Sequence, residues 1–247
     1  MSAPFLYRAW VLASRCLIPF AASAEARKLN AQDVPAARAG EKRGIATQPR
    51  PSGALVWVHA ASVGESLSVL ALITRMGHML PDAHFLITSG TATSARLVDQ
   101  RLPPRSLHQF APLDAPGPLK RFLAHWQPDA AIFVESEIWP QMLRRTHATG
   151  APMALVNARM SDKTVEFWEK WPRTARYLFD VFTLIVTQND AMARNMIRMH
   201  APADRVSPGV NLKSMAGPLP VDAQALGSAR TALGGRAVWV ASSTHEG

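Results

Sequence analysis

Hydroxyl and carboxylate side chains directly follow the first strongly apolar stretch of the sequence. That stretch, residues 54–60, ends before Ser62, Gly64 and Glu65, and helical spacing of leucines begins near Ser66. A strand, a tight turn and a helix in this order open a βαβ unit, and the helix start offers free N–H groups to an anionic or polar ligand. A carboxylate at such a turn can also move a proton. Spacing alone favours a structural role, with Ser62 capping the helix and Glu65 complementing its dipole.

The same pattern recurs after four later apolar stretches. The polar residues of those turns are Thr88 and Thr91, Glu135 and Glu137, Asn157 and Arg159, and Gln188 and Asn189. Because the carboxyl ends of parallel strands meet at one edge of a sheet, we expect these turns to line a common cleft. One such turn carries little information, whereas five favour a polar binding site.

Three of the polar residues have a structural interpretation that stays open. Arg159 either binds an anion or forms an ion pair with Glu135 or Glu137. For Glu137, a role in holding its own loop is favoured over chemistry. His59 lies in the first predicted strand, where a hydrogen-bonded core histidine is the favoured interpretation.

Alternating strands and helices predict an α/β fold with a parallel, doubly wound sheet of the Rossmann type. The predicted strands are residues 54–60, 83–89, 107–113, 130–135, 152–157 and 182–187. One helix is predicted to begin at about residue 66, and a second, short helix to end at about residue 99. Further helices are predicted over 116–125, 162–171, 172–180 and 190–200, the last with Asp190 as its cap.

The charge of the chain is strongly positive and unevenly distributed. The 247 residues have a formal net charge of +9 and are 48% hydrophobic, enough to bury a sizeable core. Residues 1–50 contain eight lysines and arginines against three acidic residues. This start suits an anionic surface, either phospholipid or nucleic acid. The one cysteine, Cys16, excludes an intrachain disulfide and a cysteine zinc site.

The apolar segment 4–24 has four possible structures. Arg8 and Arg15 are seven residues apart and share one helical face, which favours an amphipathic helix in a membrane interface. A transmembrane helix and a secretory signal are both weakened by Arg15 in the middle of the segment. The fourth possibility is a helix packed on the protein's own core.

Residues 30–52 lack periodicity and predict a connector with at most short helices. Beyond residue 216, Gly217 to Pro220 predicts a linker, 222–233 a helix and 236–241 a strand. A strand followed by a polar glycine turn is the first half of a βα unit. We therefore expect a second domain to begin here and the chain to be truncated.

Taken in order, the motifs resemble those of the 3-deoxy-D-manno-octulosonic acid (Kdo) transferases of lipid A core biosynthesis. The matching segments are residues 57–65 (WVHAASVGE), 88–94, 135–140 (ESEIWP), 157–161 (NARMS), 188–189, 211–213 (NLK) and 241–247 (ASSTHEG). Each motif is short, and their order makes the resemblance specific. The chain departs from the family pattern at Gln141, Val210 and Ser214.

The resemblance implies the amino-terminal half of a two-domain glycosyltransferase of the GT-B type. Such an enzyme transfers Kdo from CMP-Kdo to a glucosamine hydroxyl of a lipid A precursor in lipopolysaccharide biosynthesis, with inversion and without a metal or other cofactor. It works at the cytoplasmic face of the inner membrane, here as a peripheral protein or one anchored by its amino-terminal helix. The implied partners are the lipid A precursor, CMP-Kdo and the inner-membrane surface, with no nucleic acid.

The resemblance also implies roles for individual residues. The family's base is a glutamate in a Gly-Glu-Arg-aromatic-Gly motif. Residues 40–44 (GEKRG) keep the glutamate and both glycines, with Arg43 in place of the aromatic, and make Glu41 the implied catalytic residue. The implied acceptor-binding residues are Ser62, Gly64, Glu65, Thr88, Thr91, Glu137 and Arg159. The implied donor-binding residues are Lys213, Ser243, His245 and Glu246.

We expect three regions: a membrane-associated helix at 1–28, an acceptor domain at 29–216, and a linker with the first strand of a donor domain at 217–247. Lacking most of the donor site, the chain is expected to be inactive alone. The alternative function is a catalytically incompetent fragment that binds anionic lipid. Nucleic-acid binding rests on charge alone, because no aromatic–basic recognition motif accompanies it.

Overall fold

The computed structural model describes residues 2–215 and 221–242. The chain divides into two compact units, Met1–Met215 and Ala216–Gly247. The predicted division at residue 28 falls inside a helix that belongs to the first unit.

The first unit contains a seven-stranded parallel sheet in the order β3-β2-β1-β4-β5-β6-β7. Its strands are β1 Leu55–His59, β2 His84–Ser89, β3 Ser106–Phe110, β4 Ala130–Val134, β5 Met153–Ala158, β6 Leu184–Thr187 and β7 Val206–Pro208. The chain runs outward from β1 in one direction and then returns to β4 on the other side. This reversal is the switch point at which doubly wound sheets bind ligands, and the predicted fold class is confirmed.

Helices cover both faces of the sheet. They are α1 Phe5–Asn30, α2 Ala36–Ala39, α3 Val63–Met79, α4 Ala92–Asp99, α5 Pro116–Trp126, α6 Pro140–His147, α7 Asp162–Glu169, α8 Pro172–Phe179 and α9 Asp190–Arg198, with short 3₁₀ helices at Gly40–Arg43, Ala203–Arg205 and Leu212–Met215. Side chains of β1 alternate between two cores: Trp57 packs with Phe122 and Phe133, whereas Val58 packs with the cluster around Ile73. Alternation of this kind follows from the period of a strand, and it buries the sheet from both sides.

Four details differ from the prediction. Helix α3 begins at Val63, three residues early, because Ser62 caps it. Asn189, whose side chain accepts from the N–H of Met192, caps α9 in place of the predicted Asp190. Helix α6 and the three-residue strand β7 were not predicted. The second half of α6 is strongly polar, which hides its helical pattern. Strand β7 is too short to show an alternation of apolar and polar residues.

Helix α1 lies against the first unit through a few polar and aromatic contacts. The Trp10 indole donates to Asp114 at 2.6 Å, the Gln141 amide donates to Ser14 at 2.6 Å, and the ring of Tyr7 meets Tyr177 edge-on. The opposite face is apolar, with Phe5, Leu12, Leu17 and Phe20 between 59% and 78% exposed. By length and composition α1 could cross a membrane, and a signal sequence would pass the same test.

The described part of the second unit, residues 221–242, contains the predicted helix as α10 Ala223–Leu233, capped by Asp222. The strand predicted over 236–241 is absent from this part of the structure. A parallel strand is stabilised by hydrogen bonds to a neighbouring strand, and residues 221–242 contain no such neighbour.

Candidate functional site

A cavity of about 210 Å³ opens at the switch point, where the carboxyl ends of β1 to β4 meet. Its walls are mostly apolar, and a few polar side chains reach it from separate elements. The lining residues include Glu25 of α1, Lys42, His59 at the end of β1, Gly90 after β2, Asp114 after β3, and Trp139 and Met142 after β4. A concave, largely apolar site with convergent polar groups is typical of small-molecule binding.

His59 is buried in this wall and both of its ring nitrogens are hydrogen-bonded. Nδ1 lies 2.9 Å from the Thr88 hydroxyl, and Nε2 lies 3.1 Å from Oε2 of Glu137. The Trp57 indole donates to the same hydroxyl oxygen at 2.8 Å, which leaves the Thr88 hydrogen for Nδ1. Because a carboxylate only accepts, the ring proton of His59 is on Nε2 and is donated to Glu137.

Glu137 is oriented by two donors on one of its oxygens. Oε2 accepts from His59 and from the Trp139 indole, while no described residue donates to Oε1. Burial by itself would raise the pKa of Glu137, but the hydrogen bonds from His59 and Trp139 outweigh it and lower that pKa. Trp139, 40% exposed, is thereby held with its ring at the cavity. Glu137 does hold its loop, as interpreted, and also presents one free carboxylate oxygen.

Ser62 and Glu65 form the start of α3. The Ser62 hydroxyl accepts from the Glu65 N–H at 3.2 Å and donates to its carboxylate at 2.8 Å, while the other carboxylate oxygen accepts from the Ala61 N–H at 2.9 Å. Burial, opposed by the Ser62 bond, raises the pKa of Glu65, and the charge of Glu137 adds to the rise. This geometry matches the structural interpretation of both residues.

Glu41 lies in the 3₁₀ helix Gly40–Arg43, and its side chain is fully buried. Oε1 accepts from Thr47 at 2.5 Å and from Arg38 at 3.2 Å, and Oε2 accepts from the Phe110 N–H at 2.7 Å. Both oxygens are therefore occupied in this structure. Thr47 is exposed, so its hydroxyl is the contact nearest to solvent.

Arg38, which donates to Glu41, is itself held in place by Asp99 and His108. The guanidinium also donates to Asp99 at 2.8 Å and lies 2.6 Å from Nδ1 of His108. Burial, together with the charges of Arg38 and Lys42, lowers the pKa of His108 to about 3, which keeps this ring neutral. Sequence reasoning missed Arg38, whose spacing of three residues from Glu41 was the available signal.

Lys42 brings a buried positive charge to the cavity. Its ammonium donates to the Gly90 carbonyl at 2.8 Å and lies 3.9 Å from the Glu25 carboxylate of α1. Burial lowers the pKa of Lys42 to about 8, against an opposing effect of Glu25. An ammonium has three N–H donors, so this one can still donate to an anionic ligand while it bonds to Gly90.

Lys213, predicted to bind the donor, lies at the same edge of the sheet. Its ammonium pairs with Glu135 at 2.9 Å and lies beside Gly64, 3.8 Å from where a Cβ on that residue would be. Glu135 also accepts from Asn157 at 3.2 Å. Both residues have φ of 55°, which asparagine adopts readily but glutamate rarely does, and uncommon backbone conformations cluster at functional sites.

None of the predicted site residues that the structure describes lines the cavity itself. Thr88 and Glu137 lie next to it through their hydrogen bonds to His59. Thr91 caps α4 in a reciprocal arrangement with Ser94. Arg159 is exposed, and the ion pair considered for it is not formed: Glu135 pairs with Lys213, and Glu137 with His59. Ser243, His245 and Glu246 lie outside the described residues.

Sequence reasoning also missed Asp114, which ties three elements together. Its carboxylate accepts from Trp10 of α1 and from the backbone N–H groups of Gln141 and Met142 at the start of α6. Burial raises the pKa of Asp114, although these hydrogen bonds oppose the rise. Its position after β3, beside a Pro-rich turn, gave no distinctive signal in the sequence.

The arrangement can bind a polar ring against Trp139, attract negative charge to Lys42 and accept a proton on a carboxylate. The carboxylates also affect one another, since the negative charge of Glu137 contributes to the raised pKa of Glu65. In the described residues, no group of three or more His, Cys, Asp or Glu side chains is arranged to hold a metal ion.

Residues 37–216 match the sequence model of the 3-deoxy-D-manno-octulosonic-acid transferase (kdotransferase) family. The match covers all seven strands, the Glu41 turn and every residue of the cavity except Glu25.

Individual relatives agree with this match. The chain is 37% identical over 191 residues to 3-deoxy-D-manno-octulosonic acid transferase of Rickettsia felis, covering 77% of this chain and 40% of that protein. It is 32% identical over 213 residues to a probable mitochondrial 3-deoxy-D-manno-octulosonic acid transferase of Arabidopsis thaliana, covering 84% and 47%. The chain thus spans less than half the length of these relatives.

Solved structures are more distant. A glycosyltransferase from Rickettsia africae superposes with a TM-score of 0.48 at 10% identity, over 74% of this chain and 50% of that one.

Proposed function

Because the chain belongs to the 3-deoxy-D-manno-octulosonic-acid transferase family, we propose that it is the acceptor-binding half of an enzyme that transfers Kdo from CMP-Kdo to a lipid A precursor. The reaction joins a glucosamine hydroxyl of the acceptor to the anomeric carbon of Kdo and releases CMP, with inversion and without a metal. The family match over residues 37–216, which includes every residue of the switch-point cavity except Glu25, carries this proposal.

The cavity has the chemistry that a sugar acceptor needs. Trp139 lines the cavity and offers an aromatic face to a pyranose ring. His59 and Trp139, which both line it, connect it to the Glu137 carboxylate. Lys42 favours an acidic substrate, such as the carboxylate of Kdo or a phosphate.

We assign the general base to Glu41. The attacking hydroxyl loses its proton as the glycosidic bond forms, and a positioned carboxylate contributes roughly 10²–10⁴-fold to such a step. Arg38 and the Phe110 N–H hold this carboxylate in one orientation. The acceptor hydroxyl must then replace Thr47 on Oε1, since that is the contact nearest to solvent.

We also propose that the protein works at the cytoplasmic face of the inner membrane. The support is the exposed apolar face of α1, bordered by Arg8 and Arg15, which suits a helix lying in the interface of an anionic bilayer.

The test is a transfer assay with the chain joined to the carboxy-terminal domain of the Rickettsia felis relative. Labelled Kdo, generated as CMP-Kdo, should pass to a tetraacylated lipid A precursor. A matched reaction uses an acceptor whose glucosamine hydroxyl is blocked as a methyl ether, and it should give no product. Absence of product from the unmodified acceptor, when the protein is folded, would contradict the proposal.

A further inference from the structure

A second cavity, of about 280 Å³, lies between α1, the 3₁₀ helix Gly40–Arg43 and α5. Three arginines line it, one from each element: Arg15, Arg43 and Arg121. We refer to it as the arginine cavity. Its other lining residues are apolar or glycine: Ile18, Pro19, Ala22, Ala115, Pro116, Gly117 and Pro118.

The three guanidinium groups lack ionic partners within residues 2–215 and 221–242. None lies within 4.0 Å of a carboxylate there, and no acidic side chain lines the cavity. Three like charges around a partly enclosed apolar space repel one another more strongly than they would in open water. An anion between them would remove that repulsion.

The fold fixes the Arg121 side chain and the backbone of Arg43 relative to each other. The Arg121 side chain donates to the Arg43 carbonyl through Nε at 2.8 Å and NH2 at 2.6 Å, which leaves its NH1 group over Gly117 at the start of α5. Gly44 has φ of 76°, and a side chain there would come within 2.0 Å of the Pro118 carbonyl. The 3₁₀ helix and α5 are therefore in direct contact, and this contact sets the spacing of Arg43 and Arg121.

The apolar walls continue beyond the arginines. A groove of about 460 Å³ shares Pro19, Ala22 and Arg43 with the arginine cavity and extends along α1 to Asn30, with Ala36 and Ala39 on its far side. A phosphate at the arginines would thus have beside it a groove with alanine and proline walls, and with Ser23 and Asn30 among its lining residues. The exposed Leu17 and Phe20 lie on the same helix.

We propose that the arginine cavity binds the phosphate monoester of a lipid, with an acyl chain along the groove of α1. A monoester has three terminal oxygens, enough for three guanidinium donors, whereas a diester headgroup has two free oxygens and a substituent in the way. Identification of this lipid with the phosphorylated acceptor rests on the proposed function. The binding itself does not.

The test uses flotation of the complete 247-residue chain with phosphatidylcholine vesicles. One set contains phosphatidic acid, a monoester, and another contains phosphatidylglycerol, a diester, at an amount that gives the same surface charge. Variants are R15Q, R43Q and R121Q, and the matched control is R8Q, which removes a charge from the same exposed helix outside the cavity. Far-ultraviolet circular dichroism verifies that each variant is folded, and R121K keeps the charge while losing the planar fork.

Each cavity variant should weaken binding to phosphatidic acid vesicles about tenfold, the effect of one charge-assisted hydrogen bond. R121K should give an intermediate loss, and R8Q should lower binding to both vesicle types equally. Inorganic phosphate at millimolar concentration should compete poorly, because it lacks the acyl chain. Equal binding to the two vesicle types, or an R8Q effect as large as that of R121Q, would overturn the proposal; complete displacement by inorganic phosphate would overturn its lipid part.

Discussion

The Thr47 hydroxyl donates to Oε1 of Glu41 at 2.5 Å and separates this carboxylate from solvent. If the acceptor hydroxyl replaces Thr47 during the reaction, the threonine is a competitor of the substrate. T47V in the donor-completed protein should therefore keep or raise kcat, while lowering the free energy of unfolding by about 1 kcal/mol for the lost hydrogen bond. Steady-state transfer kinetics and urea unfolding measure the two effects.

T74V is the matched control for this substitution. Thr74 is an exposed threonine whose hydroxyl bonds only to the Leu70 carbonyl of its own helix. A hundredfold fall in kcat for T47V, with T74V unchanged, would mean that the Thr47 hydroxyl assists the reaction and is not displaced.

Lys42 should make the protein more stable as the solution becomes more alkaline. Its pKa is lowered from 10.5 to about 8 by burial, so between these values the unfolded chain binds more protons than the folded one. Stability then rises with pH by at most about 1.4 kcal/mol per pH unit in that window. The free energy of unfolding of K42M should exceed that of the wild type by about 1–3 kcal/mol near pH 7. This difference should shrink towards pH 10.

Urea unfolding of both proteins across this range measures the difference directly, and other titrating groups cancel in it. A constant difference from pH 7 to pH 10 would contradict the lowered pKa of Lys42.

Glu137 should stabilise the protein through its bonds from His59 and Trp139, in a manner that depends on pH. Because these bonds lower its pKa below the unfolded value of 4.5, the contribution is complete above 4.5 and is lost as pH falls through the folded pKa. E137Q should lower the free energy of unfolding by about 1–2 kcal/mol at neutral pH and by less in acid. A cost that stayed the same or grew in acid would exclude an ionised Glu137.

Gly44 should be among the least replaceable glycines of the chain. G44A combines a positive φ of 76° with a Cβ position 2.0 Å from the Pro118 carbonyl, whereas Gly53 has φ of 80° with its nearest contact at 3.6 Å. G53A should cost about 1 kcal/mol for conformation alone. G44A should cost about 3 kcal/mol or more, because the 3₁₀ helix must move from α5. Equal costs in urea unfolding would show that the close contact is relieved cheaply.

The sheet was predictable because its strands are buried on both faces and read as continuous apolar stretches. Residues 83–89 and 130–135, for example, match β2 and β4 to within one residue. The turn at Ser62 was equally readable, since capping depends on residues only three positions apart.

The partners of Glu41 were not predictable in this way. Its carboxylate accepts from the backbone of Phe110, 69 residues away, and no side-chain pattern encodes a backbone donor. Helix α6 escaped prediction because part of its buried face, at Gln141, is polar and packs against Ser14 of α1. The ion pair between Lys213 and Glu135 was not predictable either, because it depends on the path of the chain after β7.

The central claim is tested most directly by the kcat of Kdo transfer for Glu41→Gln in the donor-completed protein, measured at saturating acceptor. The amide keeps the size of the side chain and can still accept from Phe110, so acceptor affinity should stay within a few-fold of the wild type. The account predicts a fall in kcat of roughly 10²–10⁴-fold. An undiminished kcat would contradict it and would move the base to another carboxylate of the site, with Glu65 the next candidate.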